Sequence, residues 1–262
     1  NTVYVNGGSL TLTGSGTEQA IAGLTRDDLV AYQNTWLRPE DATIVVVGDT
    51  TLDEIVPVLN KHLGDWKGQG PVAKPAALPK VARPEKARVY LIDQPGAVQA
   101  NIMAGEVMPS TRDPGAVKLE MSNDVLGGSF TSRLNMNLRE DKHWSYGART
   151  MLVGAEGQGP WVAIAPVEID KTADSIKEMQ REFAEYGSGK VPATQEEVTK
   201  VINNEVRSLP GAYETASSVM NTMGGIVRYG RPDNWVQVRN AEVQAFTPAQ
   251  AAEAAKAIDP NQ

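Results

Sequence analysis

Cysteine is absent from all 262 residues, and histidine occurs twice, at His62 and His143. The missing thiols exclude disulfides, thiolate nucleophiles and cysteine-based zinc sites. They do not set the compartment, because exported proteins can also lack cysteine. Two isolated histidines leave little from which to build a catalytic zinc, which takes three protein ligands and keeps one position for water. A site from His62 with Asp65, or from His143 with Asp141, would need remote carboxylates to complete it, and a solvated surface histidine is the simpler reading of each. Positive charge is also in deficit: 25 Lys and Arg stand against 32 Asp and Glu, a formal net charge of −7. That balance excludes a general nucleic-acid binder, which needs a basic face to displace counterions. No run reaches the ~20 apolar residues of a membrane span. The opening "NTVYVNGG" has no basic region followed by an apolar core, so no signal peptide is expected in it.

What is present is ordinary globular text, with 41% hydrophobic and 22% charged residues. The length suits one large domain or two smaller ones. Residues 1–24 are rich in Gly, Thr and Ser and read as an irregular entry. Thr25-Arg26-Asp27-Asp28 then opens a helix with a capping box, followed by "LVAYQNTWL" and a stop before Pro39. "ATIVVVG" (42–48) reads as a buried strand. "LDEIVPVLNKHLGDW" reads as a helix that Pro57 should kink or shorten. From Lys67 to Pro84 the text becomes "KGQGPVAKPAALPKVARP", a proline-punctuated linker of extended character.

Beyond it, "ARVYLID" and "VQANIMAGEV" read as paired strands around the turn "QPGA". "DPGAVKLEMSNDVLGG" has helical spacing with Asp113 as N-cap, and "SFTSRLNMNLRE" a further helix opened by Ser129. Gly127-Gly128 lacks the lysine-serine and the preceding strand of a phosphate loop, so it reads as a helix closure. "SYGARTMLVG" and "GPWVAIAPVE" read as strands. "DKTADSIKEMQREFAEYG" is an amphipathic helix, a capping box at Thr194–Glu197 opens another, and two or three more finish the chain. Met103, Met121, Met136 and Met220 read as core filling. Thr25 and Thr247 each cap a helix that closes at a proline, either as an internal repeat or as two instances of a common pattern.

Three blocks together carry a resemblance: "GTEQAIAGLTRDDLVAYQNTWLRPEDATIVVVGD", "YLIDQPGAVQANI" and, the most specific, "NDVLGGSFTSRLNMNLREDKHWSYGA". The chain resembles the insulinase/pitrilysin-type zinc metallopeptidases, the group that includes mitochondrial processing peptidase, over nearly its whole length after Gly14. The resemblance implies an α+β fold of tandem domains, each an antiparallel sheet flanked by helices, here truncated at both ends. Residues 1–66 would be the closing portion of one domain, 67–84 the linker, and 85–262 most of a second, noncatalytic domain. The family's zinc motif, His-x-x-Glu-His on a helix, is missing. The resemblance therefore implies no catalytic or metal residue in this chain, with zinc held in the complete enzyme by a catalytic domain or subunit. Relatives of this type in Gram-negative bacteria are often exported, which leans toward a periplasmic setting.

The family resemblance also gives "LREDKHWSYG" a role: noncatalytic domains of this type present an arginine and a tyrosine seven positions apart to the peptide substrate. The matching pair is Arg139 and Tyr146, joined by a helix-to-strand turn, and both side chains can donate hydrogen bonds to a peptide carbonyl. The plainer alternative pairs Arg139 with a local acid and packs Tyr146. Arg133 is a candidate second substrate contact, and Trp144 either lines a groove or packs. A competing function is a structural or assembly subunit that keeps the fold without proteolysis.

Overall fold

The computed structural model describes residues 15–70, 72–74, 77–78, 80–84 and 86–258. The chain forms two compact units: residues 1–79 with 211–231, and residues 80–210 with 232–262.

The first unit is helical, with α1 (Glu18–Gly23), α2 (Arg26–Trp36), α3 (Leu52–Leu63) and α8 (Ala216–Tyr229). The supposedly irregular entry thus contains a short helix, because the Thr17 hydroxyl accepts from the Ala20 N–H and caps it. The Thr25 capping box is formed: its hydroxyl accepts from Asp28 N–H, and the Asp28 carboxylate accepts from Thr25 N–H at 2.8 Å. Helix α3 continues through Pro57 and ends at Leu63. None of α1, α2 and α3 has a buried residue. One buried side chain stands out: the Arg38 guanidinium donates to the Gln69 carbonyl at 2.9 Å and approaches Glu40.

The segment read as a buried strand, 42–48, pairs with nothing among the described residues, and Ile44 and Val46 lie exposed. The same holds in the second unit for "ARVYLID", whose Val89 and Leu91 are 90% and 93% exposed. Composition marks both runs as suited to a ladder, but a ladder exists only where a second backbone offers its own donors and acceptors. The turn after "ARVYLID" does form: Ala97 N–H donates to the Gln94 carbonyl and Gly96 takes φ +80°. That left-handed value suits the third position of a type II turn.

The second unit contains an antiparallel sheet in the order β1-β3-β2, from β1 (Gln99–Ser110), β2 (Arg149–Leu152) and β3 (Gln158–Glu168). β1 therefore pairs with β3, from Gln99 against Glu168 to Ser110 against Gln158, rather than with "ARVYLID". Along β3 the side chains alternate: Trp161, Ala163, Ala165 and Val167 are buried, while Val162, Ile164 and Pro166 are half-covered on the other face. The small alanines let helices approach the inner face closely, and Trp161 meets the Phe183 ring edge-on at 5.1 Å.

The helices that follow are α4 (Ala116–Asn123), α5 (Arg133–Asn135), α6 (Thr172–Gly187), α7 (Gln195–Ala212), α9 (Trp235–Gln244) and α10 (Pro248–Ala255); α6 lies against β1 and β3, α4 against β2, and α9 and α10 pack on α4. Helix α4 starts two residues later than read, because Asp113 makes a local turn through its carboxylate to Gly115 N–H and leaves the N-cap to Gly115. Met121 is fully buried, but Met103 is 68% exposed and Met136 and Met220 are also exposed, so one of the four methionines fills the core. Met103 faces outward because it shares the β1 face of Asn101 and Gly105.

Buried Asn123 ties helix to sheet, its Oδ1 accepting from Thr150 Oγ1 and Trp161 Nε1, both at 2.7 Å. After it the helix loosens into a π turn, Asp124–Gly128. Gly127 here does more than close a helix. A Cβ on it would sit 2.5 Å from Thr150 Oγ1 and 2.8 Å from the Thr150 backbone nitrogen, so the chain crosses β2 at a distance only glycine allows. Gly127→Ala is expected to cost roughly 1–3 kcal/mol of stability in urea unfolding; unchanged stability would show that β2 can yield to the methyl group.

Candidate functional site

The corner between helix and sheet begins at Ser132, the N-cap of α5, and runs through a second π turn, Met136–Asp141. The turn closes on two carbonyls. Lys142 N–H donates to Asn137 O at 3.1 Å, and Trp144 and Ser145 N–H both donate to Leu138 O, at 2.9 and 3.2 Å. Between them His143 adopts φ +56°, an uncommon left-handed value for a side chain with a Cβ. Its Nδ1 donates to the Arg139 carbonyl at 3.0 Å, which holds the ring against the turn it terminates.

Past the turn, Ser145 bridges to Val167 of β3, its hydroxyl donates to the Pro166 carbonyl at 2.5 Å, and Gly147 N–H donates back to that hydroxyl at 3.1 Å. Tyr146 sits between these fixed neighbours. Its side chain is 87% exposed and makes no hydrogen bond among the described residues. Arg139, at the other end of the corner, is partly exposed. Its guanidinium lies over the Phe130 ring, 4.6 Å from the centroid, and approaches Glu140 at 3.4 Å. Phe130 is itself 64% exposed and was not singled out in the sequence. An aromatic in the polar run "GGSFTSR" was the available signal, but its exposure and its cation are tertiary facts. Trp144 is half-buried against the core, with the Lys142 ammonium 5.1 Å from its ring centre.

Arg133 occupies a different neighbourhood from Arg139. Its fork meets the Glu197 carboxylate twice, at 2.6 and 2.7 Å, donates to the Val191 and Pro192 carbonyls, and stacks on Tyr186 at 4.9 Å. Burial alone would raise the Glu197 carboxyl; the Arg133 fork and the Thr194 amide and hydroxyl offset this and hold it below the usual glutamate value. Burial also pushes the Tyr186 phenol up to about 12.

A second titratable group lies in the π turn that leads into the corner. Burial, with Glu120 and Glu205 nearby, raises the Asp124 carboxyl to about 7, and Arg239 only partly compensates. Arg239 is shared between Glu120 at 3.0 Å and Glu205 at 2.7 Å.

Neither histidine stands in a metal site. His62 is in the last turn of α3 and His143 is engaged in the corner. Among the described residues no three His, Asp or Glu side chains come together as a ligand set. The described residues therefore offer no ligand set for a catalytic zinc, and among them no helix is long and apolar enough to cross a membrane.

Residues 23–205 match the family described as the Peptidase M16 inactive domain, and the chain belongs to it. It is 30% identical over 131 residues to an uncharacterized zinc protease, YmxG, of Bacillus subtilis, covering 50% of this chain and 30% of that protein. It is 22% identical over 200 residues to the zinc protease PqqE of Helicobacter pylori, covering 76% of this chain and 45% of that protein. The chain thus spans less than half the length of these curated relatives. Among solved structures, the peptidase M16 inactive domain from Pseudomonas fluorescens superposes with a TM-score of 0.82 at 22% identity, over 93% of this chain and 57% of that one.

The Asp124 shift has a definite sign. The folded state holds this proton more tightly than the unfolded state, so the contribution to stability is present at pH ~4 and is lost as pH rises toward 7. Asp124→Asn is expected to leave stability near wild type at pH 4 and to raise it, by up to about 4 kcal/mol, above pH 7. Urea unfolding across that range measures it; a gain that is the same at both pH values would contradict the assignment.

Proposed function

We propose that this chain is the noncatalytic, substrate-enclosing part of a zinc-dependent endopeptidase, and that Arg139 and Tyr146 orient the peptide backbone beside a zinc held by a catalytic domain or subunit. The observation that carries the reading is Tyr146: an exposed phenol, without a hydrogen-bond partner among the described residues, standing on a backbone tied down on both sides. A phenol open to solvent on a fixed backbone is available to donate to an arriving carbonyl without rearrangement. Arg139 complements it as a second donor, steadied by Phe130. Both are aimed at carbonyl oxygen, whose charge grows during hydrolysis, where one positioned donor is worth about 3–4 kcal/mol. Both outer strands of the three-stranded sheet, β1 and β2, offer backbone for an extended peptide to pair with, a contact that tolerates many sequences. Arg133, considered from sequence as another peptide contact, serves in this reading as the anchor of the corner.

On this reading residues 1–66 close one peptidase-like domain, 67–84 link, and 85–262 form most of the next. The exposed apolar side chains of the first unit, such as Leu29 and Leu52, would pack against the rest of that domain. A second reading has a specific observation behind it. A chain in complex III2 of Candida albicans shares the fold with a TM-score of 0.74 at 16% identity, over 96% of this chain and 60% of that one. That likeness favours a structural subunit without proteolysis.

In the complete protease, Tyr146→Phe is expected to lower kcat for peptide hydrolysis by roughly two orders of magnitude while metal analysis shows unchanged zinc. Wild-type turnover in that variant would remove the assigned role. A complete assembly with no zinc and no peptide hydrolysis would support the structural reading.

A further inference from the structure

Arg139 and Tyr146 stand at opposite ends of an eight-residue corner, and something must keep those ends in register. The turn itself fixes the backbone of residues 142–145 through the Asn137 and Leu138 carbonyls. It does not hold the Phe130 ring, on which the Arg139 guanidinium rests, nor the chain leaving Tyr146 toward β2. One side chain reaches both. Asn135, only 4% exposed, donates through Nδ2 to the Phe130 carbonyl at 2.6 Å and accepts through Oδ1 from the Ala148 N–H at 3.1 Å. The two partners fix the amide's orientation, since a carbonyl needs a donor and an N–H needs an acceptor. The bond to Ala148 is buried, so leaving that N–H unpaired carries a desolvation penalty, and the bond to Phe130 is partly buried.

We infer that Asn135 is a positioning residue that couples the two donors, its side-chain amide joining the backbone of Phe130, whose ring underlies the Arg139 guanidinium, to the strand entry that follows Tyr146. It rests on the Arg139–Tyr146 reading and adds a residue that never touches the peptide. An apolar residue of the same volume would leave the Phe130 carbonyl and the Ala148 N–H without these bonds, so the amide is what joins the two segments. Its value lies in reaching two backbone segments of opposite chemistry with one rigid plane. Loss of the clamp would leave both donors present but out of register, and misplacement on the order of 1 Å is enough to cost up to about a hundred-fold in rate.

The test is a double-mutant cycle in the complete, zinc-bearing protease, with kcat and KM measured for peptide hydrolysis well below the melting temperature. Asn135→Ala is expected to lower kcat about ten- to a hundred-fold with a smaller change in KM. In a Tyr146→Phe/Arg139→Ala background the same substitution is expected to add little, because the groups it positions are already gone. A merely structural role would give a loss of the same factor in both backgrounds, and that result would overturn the proposal while leaving the Arg139–Tyr146 reading intact. Wild-type turnover in Tyr146→Phe would overturn both.

Asn135→Asp supplies a second readout should the alanine variant fail to fold. Its carboxylate can accept from Ala148 but repels the Phe130 carbonyl, whereas the protonated acid can donate to that carbonyl and restore the clamp. Activity relative to wild type is therefore expected to rise as pH is lowered; a ratio flat with pH would sink the proposal.

Discussion

A single buried oxygen sets the geometry on which the rest of the second unit depends. Asn123 Oδ1 accepts from a β2 hydroxyl and a β3 indole at once, so α4 can lie on the sheet at only one height and one rotation. Everything after it in the chain inherits that placement. The π turn passes over Thr150 at glycine distance, the Ser129–Ser132 turn follows, and Arg133 is delivered to Glu197 on α7. The Arg133 ion pair is half-buried, bidentate and further bonded to two carbonyls. That is the circumstance in which desolvation is offset and breaking one partner is expensive. Helix, sheet and α7 are thereby locked together just before the corner that the proposed function uses.

The corner itself separates two jobs that are often combined in one residue. Backbone groups hold the path: Asn137 and Leu138 carbonyls cap the turn, and the Ser145 hydroxyl sits between Pro166 and Gly147. Side chains are then free to face outward, Tyr146 with no hydrogen-bond partner among the described residues and Arg139 on an aromatic platform. A donor held by its own main chain needs little reorganisation when a carbonyl arrives, which is what preorganised electrostatic stabilisation requires. The left-handed His143 is where the path reverses, and its ring bond to Arg139 O ties the reversal to the residue that carries the cation.

Much of this was legible in the residues. The capping boxes at Thr25, Thr194 and Thr247 are local, spanning four residues each, and all three are formed. The fold class and the helix-to-strand corner followed from pattern and resemblance. What was not legible depended on partners. The β-branched runs at 42–48 and 87–93 look like strands because their side chains suit one, yet nothing in a run says which backbone will lie beside it. Met103 is exposed because of the face of β1 it falls on, a matter of register rather than hydrophobicity. Arg133 and Arg139 are alike as text and differ because only one has Glu197 within reach. Phe130 and Asn135 gained meaning only when residues five and thirteen positions away were placed against them.

The unpaired run Arg88–Asp93 has a consequence for how this piece behaves when separated from other protein. Its centre, "VYLI", is aromatic and β-branched, uncharged and free of proline, and its backbone has no ladder partner among the described residues. Such a stretch is a template for cross-strand stacking between molecules. Covering that run with another backbone would remove the open ladder edge that it presents.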